Sequence, residues 1–302
     1  MDALSFDIRS RLSHFRILIL GRANAGKTTI LKKVCNSIDD PEIFSPDGQK
    51  VCISPSARLF VTSGSTQRGL HDIENQLIFK SNPQFIFHDS RGFESGSVEE
   101  FDRVKTFILN RAATGSLSEQ LHAIWYCLPT DTGRPLLAAD EHHFFTSGLL
   151  PLVAIFTKLD GLVTEANNKL RASGLSIKDA RKMQTRRARE LLQTDFLGPL
   201  QSKKYCPADY VQLDDMRKEN SHCHDLIEKT ANAINDKALR LLFVSVQQNN
   251  INVCIKYAIT RRLIFRIPSL DMVKRTLSWF PHVWVRLFDN DSVLIHEAQL
   301  IP

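Results

Sequence analysis

The amino-acid sequence predicts an α/β fold: a doubly wound, mostly parallel sheet with helices on both faces and a helical insertion before the last strand. Short continuous apolar runs recur along the chain, as strands buried on both faces of a parallel sheet require. Helical stretches separate these runs, the alternation that builds such a sheet. The stretch between Asp160 and Ser245 is too long for a single crossover helix, which predicts the insertion.

Phe15–Leu20 reads as the first strand, ended by Gly21. Further strands are expected at 77–80, 85–88, 123–128 and 152–156, with 241–246 as the last. Helices are expected at 28–37, 97–113, 138–145 and 222–239, and 251–264 reads as a closing helix stopped by Pro268. Leu270, Val273, Leu277, Phe280 and Trp284 then recur at helical spacing, flanked by Lys274, Arg275 and Arg286. The organisation read from this is a lead segment 1–14, an α/β domain 15–265 with a basic insertion at about 161–221, and an amphipathic extension 266–302.

Of 302 residues, 43% are hydrophobic and 24% charged, so neither disorder nor a fibrous repeat is indicated. No run approaches the roughly 18 apolar residues of a membrane span, and the N-terminus carries acids and arginines where a secretion signal needs an apolar stretch. A cytoplasmic protein, at most peripheral to membranes, is expected. The formal net charge is +6, but residues 1–160 carry 17 basic and 18 acidic side chains against 10 and 4 in residues 161–204. A nucleic-acid footprint over the whole molecule is therefore unsupported. The six cysteines show no paired spacing and read as buried or idle thiols. Three adjacent residues, His222, Cys223 and His224, cannot all turn to one ion.

The segment Gly21-Arg-Ala-Asn-Ala-Gly26-Lys27-Thr28 fits GxxxxGK[ST] in full, after a buried strand and at the start of a helix. Its glycines let the backbone bend round an anion, and the amides of Asn24, Ala25, Gly26, Lys27 and Thr28, with Thr29 beside them, face the phosphates. Lys27 would reach the terminal phosphates and the Thr28 hydroxyl would sit on Mg²⁺. Asp89-Ser-Arg-Gly92 follows the strand 85–88. A carboxylate there can hold magnesium through a water, and the Gly92 amide can bond the γ-phosphate.

Thr157-Lys158-Leu159-Asp160 ends the run 152–156. The Asp160 carboxylate can accept two hydrogen bonds from guanine, which adenine cannot reproduce. The stem of Lys158 can cover one face of the base. Ser245-Val246-Gln247, at the end of the expected last strand, can present a hydroxyl and an amide to the same base.

The ordered set GRANAGKT, DSRG, TKLD and SVQ resembles a Ras-like G domain, and within that class the TrmE–Era–septin GTPases, whose loop reads GRPNAGKS. The resemblance covers roughly 15–260. It implies GTP and GDP binding with Mg²⁺, a guanine-nucleotide switch and GTP hydrolysis. It places the first switch in Gly64-Ser-Thr66-Gln-Arg-Gly69, where Thr66 would join Thr28 and Asp89 at the metal, with Thr62, Ser65 and a plain surface turn as rival readings. Lys27, Thr66 and Gly92 form the expected catalytic set. Two departures stand out: SVQ replaces the usual SAK, and Phe93 stands where Ras carries the glutamine that orients water. An aromatic ring cannot do that, so hydrolysis is expected to be slow or assisted. Similar GTPases with a hydrophobic residue there use potassium, dimer partners or backbone groups. Asn24 matches the asparagine that helps hold K⁺ in the potassium-dependent relatives; a neutral loop residue is the plainer reading.

Residues 169–190 read as a helix with an Arg-rich face. A solvated helix is the bland reading; an acidic protein partner, an anionic membrane surface and RNA are the others, the last disfavoured because no aromatic residue interleaves the arginines. Residues 270–288 would dock on the domain, enter a membrane interface or bury a partner. The function expected is a slow GTPase that switches an unidentified protein effector or activator, with a nucleotide-dependent dimer as a further expectation. A GTP-binding scaffold without useful turnover and a ribosome- or RNA-associated GTPase are the alternatives.

Overall fold

The computed structural model describes residues 14–51, 72–90, 98–131, 150–203, 205–247 and 254–255. In chain order the elements are β1 (Phe15–Gly21), α1 (Lys27–Val34), β2 (Glu42–Phe44), β3 (Gln76–Phe79), β4 (Asn82–Asp89), α2 (Val98–Ala113), β5 (Ala123–Pro129) and β6 (Leu152–Thr157). Then come α3 (Leu159–Ala172), α4 (Ile177–Leu191), a π-helical stretch Leu192–Leu197 running into α5 (Gly198–Gln201), β7 (Asp209–Gln212), α6 (His224–Ala233) and α7 (Lys237–Ser245).

The seven strands form one sheet in the order β2-β3-β4-β1-β5-β6-β7. The pairs β4–β1, β1–β5, β5–β6 and β6–β7 are parallel; β2–β3 and β3–β4 are antiparallel. Every residue of β1, β5 and β6 is buried, because helices cover both faces. Phe15, Ile17 and Ile19 pack with α1, α6 and α7, while Leu18 and Leu20 pack with α2, α3 and α4. This is the doubly wound arrangement. Burial of each large apolar side chain contributes about 1.5–3 kcal/mol, enough to carry one charged intruder in β1. Arg16 is that intruder; its guanidinium donates to the Ser118 carbonyl at 2.7 Å and pairs with Glu119.

One expected strand is a helix. The run 241–246 falls largely in α7, where Asp236 accepts the Leu239 amide at 2.8 Å as N-cap. A short continuous apolar run does not separate a buried strand from a buried helix turn, and here Phe243 packs on Phe15 at 4.8 Å. Among the described residues the last strand is β7, inside the segment expected as insertion. Only Val211 of its four residues is fully buried, so it shows no apolar run. The expected helix 222–239 is broken before Asp236 into α6 and α7. The helical segment before the last strand is real and consists of α3, α4 and α5. The expected helices 138–145 and, apart from 254–255, 251–264, the lead residues 1–13 and the extension 266–302 lie outside the described residues. Among the described residues, no helix is long and apolar enough to cross a membrane.

Candidate functional site

Strand order reverses about β1, and a crevice opens at the carboxyl ends of its neighbours, where ligands bind in such sheets. A cavity of about 770 Å³ lies there, within the range of small-molecule sites. Asn24, Gly26, Lys27, Thr28 and Thr29 line one end, with Asp89 at the end of β4 beside Lys27; Thr157, Lys158 and Asp160, after β6, line the other.

The glycine loop has the backbone its sequence demands. Gly21 sits at φ +144°, and a Cβ there would stand 2.5 Å from the Cys127 carbonyl oxygen. Gly26 at φ +84° opens α1 without any side-chain cap. The first amides of that helix are therefore free for an anion. Asn24, at φ +60°, is exposed at the cavity, whereas Gly21 and Ala25 are buried behind it. Lys27 donates from Nζ to the carbonyls of Gly21 at 2.9 Å and Arg22 at 3.2 Å, and lies 3.7 Å from Asp89 Oδ1.

Asp89 ends β4. Its Oδ1 is shielded from solvent without a hydrogen-bond partner, and burial raises its carboxyl to about 6 against the opposing pull of Lys27. A buried acceptor left unsatisfied beside a hydroxyl-bearing cavity wall fits a hard cation, and Thr28 supplies that hydroxyl. The donor set thus suits Mg²⁺.

At the other end, Thr157 Oγ1 donates to the Ala25 carbonyl at 3.0 Å, joining the two halves of the cavity. Lys158, at φ +58°, turns the chain into α3, so that Asp160 falls in its first turn. The Asp160 amide donates to Asp214 Oδ1 at 3.2 Å. Its carboxylate has no ion pair among the described residues.

The loop after β7 completes the wall with Asp215, Met216 and Arg217. It is held in place from α1, where Lys33 Nζ donates to the carbonyls of Lys218 at 2.7 Å and Glu219 at 3.0 Å. This loop replaces the expected contribution of Ser245 and Val246. Val246 is buried and its carbonyl accepts from Asn82 Nδ2 at 3.1 Å. Asn82 begins β4, at the end of the sheet opposite Asp89, so Ser245 and Val246 are remote from the cavity. Asp131, at the end of β5, also lines the site and was not singled out by motif. The aspartates that close the Val211–Leu213 alternation were the signal for the loop after β7; Asp131 had only its place after an apolar run. Thr66, Gly92 and Phe93 lie outside the described residues.

No protein-family model and no curated protein matches the chain. Among solved structures it is similar to the septin GTPase domain from Chlamydomonas reinhardtii, at 14% identity over 53% of this chain and 60% of that one, with a TM-score of 0.29. It is also similar to a chain of an oligomerised bacterial dynamin pair, at 13% identity over 86% of this chain and 40% of that one, with a TM-score of 0.37. The chain thus spans less than two thirds of the length of either. At TM-scores this low, the fold assignment rests on the sheet order itself.

Proposed function

We propose that this protein binds Mg-GTP in the crevice at β1, hydrolyses it slowly to GDP, and uses the exchange as a switch. One observation carries the reading: the Thr157–Ala25 hydrogen bond sets the Asp160 carboxylate at one end of a single cavity whose other end is Lys27 and the open amides of α1. An anion cradle and a carboxylate on one cavity are the two groups that a guanine nucleotide needs. Bound magnesium would neutralise charge on the phosphates; Thr28 and Asp89 are the residues to hold it, with Thr66 the candidate from the first switch. Lys27 would leave its loop carbonyls for the terminal phosphates, and the Gly92 amide would bond the γ-phosphate. Asn24, exposed beside the cradle, is the residue for K⁺; equal turnover in potassium and sodium buffers would remove that role.

The test is base selectivity. Asp160→Asn should weaken GTP and favour xanthosine triphosphate, because an amide presents a donor where the carboxylate presents only acceptors. Unchanged GTP affinity would refute the base site. Phe93 in the place of a water-orienting glutamine favours a second reading, a GTP-binding scaffold without turnover. Single-turnover phosphate release no faster than the uncatalysed rate would select it.

A further inference from the structure

Lys158 and Asp160 line the same wall two residues apart, yet among the described residues only the lysine side chain has an ion pair. Its Nζ lies 2.8 Å from Asp131 Oδ2, across from the end of β5. We propose that Asp131 is a positioning residue for base recognition: it holds Lys158 so that the lysine stem forms one side of the base slot while the Asp160 carboxylate stays free. This rests on the GTP-binding reading above.

Three features make the arrangement a built one. The residue before Asp131 clamps the same dipeptide from the backbone: buried Thr130 donates from Oγ1 to the carbonyls of Thr157 at 3.0 Å and Lys158 at 3.1 Å, and from its amide to Thr157 at 2.9 Å. The first turn of α3 then lies directly on Asp131. A Cβ at Gly161 would stand 2.6 Å from the Asp131 Cβ and 3.2 Å from its Cα, so the glycine after Thr157-Lys-Leu-Asp160 is there to let Asp131 in. Finally, the pair is only one-third exposed, 35% for the lysine side chain and 33% for the aspartate.

The physical consequence is twofold. A lysine side chain has large rotamer freedom, and ordering it before the nucleotide arrives removes that cost from binding. An untethered ammonium would also compete for the Asp160 carboxylate, whose lone pairs the guanine edge requires. Asp131 diverts it.

The test titrates nucleotide-free protein with GDP and with inorganic tripolyphosphate, both with magnesium, by calorimetry. Asp131→Asn and Lys158→Met should each lower GDP affinity about three- to fivefold, and the double variant should be no weaker than Lys158→Met alone. Tripolyphosphate, which has no base, should bind all variants to within about twofold of the starting protein. Equal losses for both probes, additive losses in the double variant, or GDP affinity unchanged in Asp131→Asn each overturn the proposal while leaving the GTP-binding reading in place. A starting protein that binds tripolyphosphate but not GDP overturns both. Asp131→Ser serves the same comparison if the asparagine variant does not fold.

Discussion

The hydroxyl of Thr157 and the carbonyl of Ala25, 132 residues apart in sequence, meet at 3.0 Å inside the protein. The bond ties the end of β6 to the glycine loop after β1, so the two ends of the cavity cannot drift independently. A buried hydrogen bond of this kind contributes about 1 kcal/mol net, and leaving a buried partner unsatisfied costs about 1–3 kcal/mol. Thr157→Val, which keeps the shape and removes the donor, should therefore lower stability by about 1–2 kcal/mol. Thr157→Ser should retain most of it. Urea denaturation of the two variants reads the difference; equal midpoints would show that the hydroxyl is idle.

Gly21→Ala should be far worse than an alanine at Gly48, another glycine with positive φ. Both have positive φ, +144° and +80°. Nothing stands within 4 Å of a Cβ at Gly48, so that variant should cost about 1 kcal/mol of backbone strain. At Gly21 the methyl would meet the Cys127 carbonyl at 2.5 Å, and Gly21 and Cys127 are register partners in the sheet. Relief requires β1 and β5 to part, which should cost about 3 kcal/mol or more. Thermal midpoints of the two variants that coincide would contradict this.

The legibility of the molecule in its sequence follows burial. β1, β5 and β6 are buried on both faces and read as unbroken apolar runs; the glycine loop and Thr157–Asp160 stand at the ends of two of them, where chain order and spacing locate them. The edge strand β7 is half exposed, and its apolar signal reduces to Val211 with Leu213 beyond its end. A stronger apolar run nearby, at Leu242–Val244, took its place because α7 buries those residues against the start of β1. With 241–246 in α7, the cavity wall is completed by Asp215, Met216 and Arg217 rather than by Ser245 and Val246. Asp131 escaped for a different reason. An isolated aspartate carries no spacing, and its partner lies 27 residues away.

Two buried histidines make the fold acid-sensitive. His122 Nδ1 accepts the Arg16 amide at 2.9 Å and its Nε2 donates to the Leu117 carbonyl, while His88 Nδ1 donates to the Ile73 carbonyl and its Nε2 accepts from Arg16. Each ring is thus fixed neutral, with a donor already occupying the nitrogen a proton would take. Burial, reinforced by Arg16, lowers His122 to about 4 and His88 to about 3. A folded value depressed below 6.5 gives stability that is present above pH 6.5 and is lost as pH falls toward those values. His122 alone should remove on the order of 3 kcal/mol by pH 4. Asp89, raised to about 6, acts in the opposite sense, since its protonated form is favoured in the fold, but it is one group against two. Urea midpoints should therefore fall steadily between pH 6.5 and 4.5. His122→Gln should flatten the slope, and a profile of the starting protein that is level over that range would rule the histidines out.

Asp214→Ala should weaken base recognition more than it weakens the fold. The N-cap of α3 is Lys158, whose side chain makes no capping hydrogen bond, so the first-turn amide of Asp160 finds its acceptor in Asp214 on a different strand end. Losing a cap costs about 1 kcal/mol. The substitution has a competing effect, because it removes one carboxylate next to a wall that holds Asp131, Asp160 and Asp215. Like-charge repulsion between solvent-exposed groups is screened and is worth a few tenths of a kcal/mol, roughly the magnitude of exposed pairs of opposite sign. The cap should win. With the amide released, the turn that aims the Asp160 carboxylate loosens, and the ratio of GDP to ADP affinity should fall about fivefold. Asp214→Asn, which keeps an acceptor oxygen and discards the charge, separates the two effects. It should retain the selectivity of the starting protein; selectivity lost equally in the alanine and asparagine variants would mean that charge, not the hydrogen bond to the Asp160 amide, is what Asp214 supplies.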